Sequence, residues 1–262
     1  MLKRNKQLAT IKTLIIIIAL TYNSWITTTF LNPNIDSSRA YISEYASQQA
    51  KNSYFYRLAD IITSIMIYAI LYCFWKNKNM WKNIENKIGK IVKKTLFTAS
   101  IIFSTLTFID ALFPMTCIVY NLSEKQINSP KCATWSTMTH EISSVLIGTT
   151  AIVMITTYAI WNYSIIRERN LGITREKNNN TYCLKYNKII NFSAILHLLS
   201  IIYLGVSCVY LKYLYLGYAQ RISVLFLSIW AIFTVLEFTK LAFDTKNCKK
   251  RKNENAKQPA KI

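Results

Sequence analysis

The sequence predicts an all-α, polytopic membrane protein with six transmembrane helices and with both termini in the cytoplasm. Three observations lead to this prediction: six long apolar stretches, a hydrophobic fraction of 52% over 262 residues, and connections that alternate between lysine-rich and nearly neutral. A helix needs about 20 mostly apolar residues to cross the ~30 Å hydrocarbon core of a bilayer. The predicted spans lie at 14–31, 58–75, 96–113, 142–161, 189–211 and 222–243.

The distribution of positive charge predicts the orientation of these spans. Most of the 32 Lys and Arg residues lie before span one, between spans two and three, between spans four and five, and after span six. Short cytoplasmic loops carry an excess of Lys and Arg, so these four segments are predicted to be cytoplasmic and the chain to be a multi-pass protein of the cell membrane. The same placement argues against nucleic-acid binding despite the net charge of +20 and predicts anionic lipids of the inner leaflet as partners.

The charge pattern also divides the chain into a transmembrane domain, 1–243, and a basic cytoplasmic tail, 244–262, which is predicted to be disordered because it is polar and highly charged. Within the loop before span three, 79–94 is predicted to form an amphipathic cytoplasmic helix. Its apolar residues recur every three or four positions, and lysines occupy the rest of the turn: Trp81, Ile84, Ile88 and Ile91. Such a helix would lie on the inner leaflet, although a solvated linker is the alternative.

The cysteines separate by predicted side of the membrane. Cys117 and Cys132 share the second outer loop, so we predict a disulfide that holds the connection between spans three and four. Cys208, near the outer end of span five, is a competing partner. The other three lie at or beyond cytoplasmic ends: Cys73, Cys183 and Cys248. A reducing cytoplasm predicts thiols at those three positions.

Ionisable residues inside spans are costly in lipid and therefore mark candidate functional sites. Six polar residues lie near the predicted outer ends of spans two, three and four: Asp60, Asp110, His140, Glu141, Ser143 and Ser144. Helices joined by short loops are usually neighbours, so one outer pocket is expected to contain residues from all three spans.

Four interpretations of this outer pocket remain open at the level of sequence. Carboxylates and His140 suit a divalent metal that activates water, and a serine with His140 and an aspartate suits nucleophilic catalysis. The pocket also suits noncatalytic binding of a headgroup. The fourth interpretation is that these residues only lie at wet helix ends, with Glu141 favourably placed in the first turn of a helix. The spacing enforces none of these, and it leaves any metal or cofactor unknown.

A second group lies deeper, towards the cytoplasmic side. His197 is two turns into span five, and Glu237 precedes Lys240 by three residues in span six. A contact between His197 and Glu237 would resemble part of a proton relay, whereas the commoner outcome is a hydrogen bond between helices that stabilises packing. Asn23, in the middle of span one, is expected to join helices in the same way. With five Gly and four Pro in the chain, discontinuous helices of the transporter type are not evident and no pair of matching spans is interrupted, which disfavours a secondary transporter.

Short segments of the outer loops resemble a known family. They are Ile42-Ser43-Glu44-Tyr45-Ala46 before span two and 110–117, which runs from the end of span three. With these segments the chain resembles a poorly characterised six-helix membrane family of bacteria and archaea, catalogued as a domain of unknown function. It is more faintly similar to autophagy-modulator and GPI-remodelling membrane proteins. The most specific matches are Asp110, Phe113, Pro114 and His140, together with the Ser43/Glu44 loop.

These observations predict an integral membrane protein whose outer pocket binds or modifies a lipid headgroup or an envelope precursor. In the catalytic version, Asp110 and His140 act as acid and base or as metal ligands. The candidate binding residues are Asp60, Glu141, Ser144, Ser43 and Glu44. The alternatives are a transporter or flippase that uses the relay pair, and a noncatalytic accessory or immunity protein whose outer loops engage another protein. Nothing in the sequence indicates the oligomeric state.

Overall fold

The computed structural model describes residues 2–76, 87–170, 185–209 and 215–243, and within these ranges the chain is helical without strands. The helices are α1 (Leu2–Tyr22), α2 (Thr28–Leu31), α3 (Ile42–Tyr45), α4 (Ser53–Lys76), α5 (Lys87–Leu112), α6 (Glu124–Ile127), α7 (Trp135–Asn170), α8 (Asn187–Val209) and α9 (Leu216–Phe243). Five of these helices are long and apolar enough to cross a membrane. Helix α1 and the helical segment Ser24–Leu31 that follows it are bent relative to each other, and together they provide a sixth span if they are counted as one. The prediction of an all-α polytopic membrane protein is therefore confirmed.

The first span is bent. Helix α1 ends at Tyr22, a 3₁₀ turn covers Ser24–Thr27, and the two parts of the span differ in direction by 43°. The break lies at Asn23, whose Nδ2 donates to the backbone oxygen of Ala19 (2.9 Å) and to Ser228 Oγ (3.1 Å). A side-chain amide that bonds locally competes with the helical backbone, so the break needs neither Gly nor Pro. The bond to Ser228 confirms that Asn23 joins two helices.

The fourth span is much longer than its predicted apolar stretch of 142–161. Helix α7 begins at Trp135, where Thr134 Oγ1 accepts a hydrogen bond from the backbone N–H of Thr137 in the manner of an N-cap. His140 and Glu141 consequently lie in the second turn rather than at the helix start. The idea that Glu141 benefits from a position in the first turn is therefore wrong.

The third span also extends beyond its apolar stretch. Helix α5 starts at Lys87, so the part of the predicted amphipathic helix from Lys87 onward is continuous with the span. Residues 79–86 of that predicted helix lie outside the described residues, as does the whole of the predicted tail, 244–262.

Neighbouring spans pack in the order of the chain: α1 on α4, α4 on α5, α5 on α7, and α8 on α9. Ser64 and Ser104 allow α4 and α5 to approach closely, since each hydroxyl donates to the backbone oxygen of the other residue at 2.8 Å. Helix α9 is held against α7 by large rings instead. Trp161 stacks on Phe238 with centroids 5.1 Å apart. The aromatic layer keeps the backbones of α7 and α9 apart at this level.

One end of the bundle carries the predicted disulfide, and we call it the disulfide end. Cys117 and Cys132 are bonded, with their Cα atoms 5.3 Å apart, and both are buried. The loops on either side of α3 and between α5 and α7 cover this end. The predicted pairing is confirmed.

Removing this disulfide should destabilise the protein by about 3 kcal/mol, because the bond closes a loop of 15 residues and so restricts the unfolded chain. We expect the double variant Cys117→Ala/Cys132→Ala to show this loss in thermal unfolding of the purified protein in detergent. Cys73→Ala is the control for loss of a thiol elsewhere. Equal unfolding temperatures for the double variant and the wild type would show that the crosslink does not stabilise the fold.

Candidate functional site

The centre of the candidate site is a hydrogen-bonded group that we call the Asp110 cluster: Asp110, His140, Ser143 and Ser144. Asp110 lies in the last turn of α5, and the other three lie on α7. Asp110 Oδ1 accepts hydrogen bonds from Ser143 Oγ (2.6 Å) and Ser144 Oγ (2.8 Å), and it lies 3.2 Å from His140 Nδ1. The Asp110 side chain is 17% exposed, whereas His140 is buried. The structure thus brings together the predicted residues of spans three and four.

Asp60 of α4 lies beside this cluster, as the sequence predicts. The carboxyl groups of Asp60 and Asp110 are close enough to interact electrostatically, and both interact with the Tyr22 hydroxyl of α1. Arg57, one turn before Asp60, donates from Nε to the backbone oxygen of Ala111 at 2.8 Å. This bond satisfies a free carbonyl at the end of α5 and keeps Asp60 level with Asp110. Residues from four helices therefore meet at one depth.

Serine, histidine and aspartate follow one another here in the order of a catalytic triad. Ser144 Oγ is 3.5 Å from His140 Nε2, and His140 Nδ1 faces Asp110. The shorter bond of the Ser144 hydroxyl, however, is the one it donates to Asp110. A nucleophilic serine has to direct its proton to the base. The geometry is therefore that of a carboxylate held by three donors rather than that of an activated serine.

The metal interpretation finds no support in this part of the chain. Among the described residues, no group of three His, Cys, Asp or Glu side chains is arranged to hold a metal ion. Asp110 is instead satisfied by hydroxyl and imidazole groups.

Glu141 does not belong to the site. It follows His140 in α7, but its side chain is exposed while His140 is buried. Successive residues of a helix point about 100° apart, so the turn that directs His140 towards Asp110 directs Glu141 away. The prediction that Glu141 is a binding residue of this pocket is corrected accordingly.

Glu44 connects two loops at the disulfide end. It is fully buried, and its oxygen atoms accept hydrogen bonds from the backbone N–H groups of Tyr41 (3.0 Å), Val119 (2.8 Å) and Tyr120 (3.1 Å). Burial raises the pKa of the Glu44 carboxyl, while these donors and nearby Arg221 act in the opposite direction. Glu44 thus joins the first loop to the loop that contains Cys117, while its role in binding stays a prediction.

Ser43, the other predicted binding residue of this loop, donates to Met115 Sδ at 3.5 Å. This contact places Ser43 against the loop that follows α5 and apart from the bonds of the Asp110 cluster. Neither residue of the Ser43/Glu44 pair contributes to the cluster.

The sequence did not predict that the first loop is held by the start of α9. Arg221 is buried, and its Nη1 donates to the backbone oxygens of Ser37 (2.7 Å) and Ala40 (3.1 Å). Its guanidinium group lies 5.3 Å from the centre of the Tyr45 ring. In the sequence Arg221 is one basic residue in a nearly neutral connection, and the only available signal was its position at the edge of an apolar stretch.

His197 and Glu237, the two residues of the possible relay, have different partners in the structure. His197 Nδ1 lies 2.9 Å from the backbone oxygen of Ser223 and 3.0 Å from its hydroxyl oxygen. Glu237 accepts hydrogen bonds from the backbone N–H groups of Lys185 (3.1 Å) and Tyr186 (2.7 Å), just before α8. Each residue thus joins α9 to α8 or to the segment that enters it. The contacts of both residues therefore fit hydrogen bonds that stabilise helix packing better than they fit a proton relay.

Comparison with known proteins gives one match. A family model described as "Protein of unknown function (DUF998)" matches residues 15–175. That segment contains Asp60, the Asp110 cluster and the disulfide. No curated protein and no solved structure matches the chain. The faint similarity to autophagy-modulator and GPI-remodelling proteins stays a prediction.

Proposed function

The chain belongs to the DUF998 family of proteins of unknown function, so we infer its activity from its own residues. We propose that the protein binds the polar head of a membrane lipid or of an envelope precursor, and that this head lies between Asp60 and Asp110. The protein is an integral membrane protein with several apolar helices. In this proposal it lies in the cytoplasmic membrane, with the disulfide end outside and both termini inside.

Two independent features support this orientation. Lys76, Lys87, Arg167 and Lys185 lie at or next to the helix ends that are furthest from the disulfide end. Cytoplasmic ends of spans are typically basic. The bonded Cys117–Cys132 pair lies at the opposite end, and disulfides persist in oxidising compartments outside the cytoplasm.

One observation carries the proposed binding: the two carboxyl groups keep unused acceptor oxygens. Within the described residues, the two serine hydroxyls and His140 Nδ1 all approach Oδ1 of Asp110, and no hydrogen bond contributes to the electrostatics of Asp60. A polar group at membrane depth without a partner costs free energy, as does a charge. A ligand that donates hydrogen bonds to these oxygens would remove that cost.

The chemistry of this pair favours one class of headgroup. Two neighbouring carboxyl groups attract hydroxyl and ammonium donors and repel phosphate or carboxylate groups. We therefore expect a headgroup with sugar or polyol hydroxyls or with an amine placed beyond any phosphate. The proposal gives Ser144 no nucleophilic role, because its hydroxyl donates to Asp110.

Lipid retention tests this proposal. We expect Asp60→Asn and Asp110→Asn each to lower the occupancy of the copurified lipid about tenfold, which corresponds to about 1.4 kcal/mol of binding free energy. The reason is that each substitution replaces an acceptor oxygen with an amide donor while keeping the side-chain shape. Occupancy is measured by native mass spectrometry of the protein released from detergent micelles that contain a lipid extract of the source membrane.

Glu141→Gln is the matched control, because it removes an exposed carboxylate from the same end of the bundle. Thermal unfolding of each variant checks that the fold is kept. If the three variants retain the same lipids at the same occupancy as the wild type, the Asp60–Asp110 pair is not the binding site. A change in lipid mass on incubation with the wild type would show instead that the protein is an enzyme.

A further inference from the structure

A cavity of about 150 Å³ lies inside the bundle, with walls from α1, α4, α5, α7 and α9 that are almost entirely apolar. It runs along α4 from Thr63 to Phe74, a distance of about 16 Å at the rise of an α-helix. Tyr22 forms part of its wall and also interacts with Asp60 and Asp110. The cavity therefore begins directly below the proposed headgroup site.

The packing of α9 accounts for this space. On one side of the cavity, Trp230 and Leu227 belong to the core cluster that includes Trp161 and Tyr158. On the other side, Ile15, Ile70 and Phe74 form a separate cluster between α1 and α4. Apolar side chains that face a gap lose dispersion contacts, and in a membrane a hydrocarbon chain of a lipid can restore them.

Two of the residues that line the cavity carry a polar group. Trp230 is 3% exposed and Thr234 is 6% exposed, and both line the cavity. Neither Trp230 Nε1 nor Thr234 Oγ1 has a hydrogen-bond partner among the described residues. The indole N–H only donates, and a hydroxyl can donate. An occupant that satisfies both must therefore present an acceptor such as a carbonyl oxygen.

The depth of these two residues matches the linkage region of a lipid. Ser228 is level with Asn23, to which it is hydrogen bonded, and Asn23 follows Tyr22. Since α9 runs away from the disulfide end, Trp230 lies about 3 Å and Thr234 about 9 Å below Ser228. The α9 wall of the cavity runs from Leu227 to Phe238. Trp230 and Thr234 lie within this wall, below the carboxyl pair and above Val235 and Phe238, which is compatible with the order of headgroup, acyl ester and chain in a lipid.

We propose that the cavity holds the first part of one acyl chain of the lipid whose head lies between Asp60 and Asp110, and that Trp230 and Thr234 donate hydrogen bonds to the carbonyl oxygen of its ester. The position of the head rests on the proposed function, whereas the chain site is defined by the cavity itself. The occupant is therefore an acyl-ester lipid with a donor-bearing headgroup.

Photolabelling tests the chain site. The protein is placed in lipid nanodiscs that contain a diacyl lipid with a diazirine in its acyl chain, and labelled peptides are mapped by mass spectrometry. We expect labels at cavity-lining residues of α9, and we expect Ala231→Phe, which fills the cavity, to reduce them at least fivefold. Ala159→Phe, on an exposed face of α7, is the matched control and should leave them unchanged. Ala231→Leu provides the same test with a smaller side chain if Ala231→Phe does not fold.

An ether-linked analogue tests the acceptor. It lacks the carbonyl oxygen, so we expect it to compete with the label about fivefold less well than the ester lipid. Thr234→Val keeps the side-chain shape but removes the hydroxyl. In this variant the ester and ether lipids should compete almost equally well, so that the fivefold ratio between them falls towards one. Equal competition by ester and ether lipids in the wild type would overturn the assigned hydrogen bonds, and equal α9 labelling in Ala231→Phe and the wild type would overturn the chain site.

The two proposals fail separately. Loss of α9 labelling in Ala231→Phe, together with unchanged lipid retention in Asp60→Asn and Asp110→Asn, would support the chain site and contradict the headgroup site. Headgroup-dependent retention without any interior labelling would contradict the chain site alone.

Discussion

Replacing Gly217 with alanine is expected to destabilise the protein by about 3 kcal/mol, one of the two largest effects that we predict. A Cβ atom at this position would clash with the backbone oxygen of Ser37 and would lie 2.5 Å from that of Ala40. It would also lie 2.8 Å from Arg221 Nη1, which is bonded to both oxygens. Backbone atoms cannot move aside cheaply, so the loop has to separate from α9. Thermal unfolding in detergent measures the loss.

Gly148→Ala and Gly205→Ala are the controls for this substitution. Both glycines lie within helices, and a Cβ atom at either position meets no atom within 4 Å. Alanine favours a helix over glycine by up to about 1 kcal/mol, so these variants should be as stable as the wild type or slightly more stable. If Gly217→Ala unfolds at the same temperature as the controls, the loop does not pack on α9 in the way described.

Replacing Glu44 with alanine is expected to cost about 3 kcal/mol or more. The substitution leaves the N–H groups of Tyr41, Val119 and Tyr120 without their acceptors in a buried place, and each such loss costs about 1–3 kcal/mol. Glu44→Gln keeps one acceptor oxygen and should lie between alanine and the wild type. Chemical unfolding of the detergent-solubilised protein gives the comparison.

Glu141→Ala is the matched control, because an exposed carboxylate without such partners changes stability by no more than about 0.5 kcal/mol. The lipid that copurifies with Glu44→Gln should be unchanged, since Glu44 is separate from the Asp110 cluster. A selective loss of that lipid with normal stability would show that Glu44 binds ligand after all.

The spans were predictable because crossing a membrane imposes a composition that any window of about 20 residues reveals. The meeting of Asp110 with His140 was also predictable. It followed from the opposite directions of two consecutive spans and from the tendency of consecutive helices to be neighbours. Both inferences use only the order of the chain and the depth of a residue along its helix.

The features that the sequence did not predict involve side chains that form hydrogen bonds with backbone atoms, either of a distant segment or at a break in a helix. The partners of Glu44 include Val119 and Tyr120, and no periodicity links a carboxylate to two amides about 75 residues later. Asn23 breaks a span through its side-chain amide, in a stretch without Gly or Pro. His197 and Glu237 were paired on depth alone, although their actual partners are backbone atoms, which every sequence offers at every position.

The unusual length of α7 has a consequence for the shape of the protein in a membrane. Its 36 residues make a rod about 54 Å long, against a hydrocarbon core of about 30 Å. Even at a tilt of about 40°, the rod covers about 41 Å along the membrane normal, so at least about 10 Å of it stands in the headgroup layer or in water. Asn162, which donates to Asn187 at 2.5 Å, lies about 40 Å from the start of α7. The hydrogen bond that joins the fourth span to the start of the fifth therefore lies near the membrane surface rather than in the hydrocarbon core, although Asn162 itself is buried.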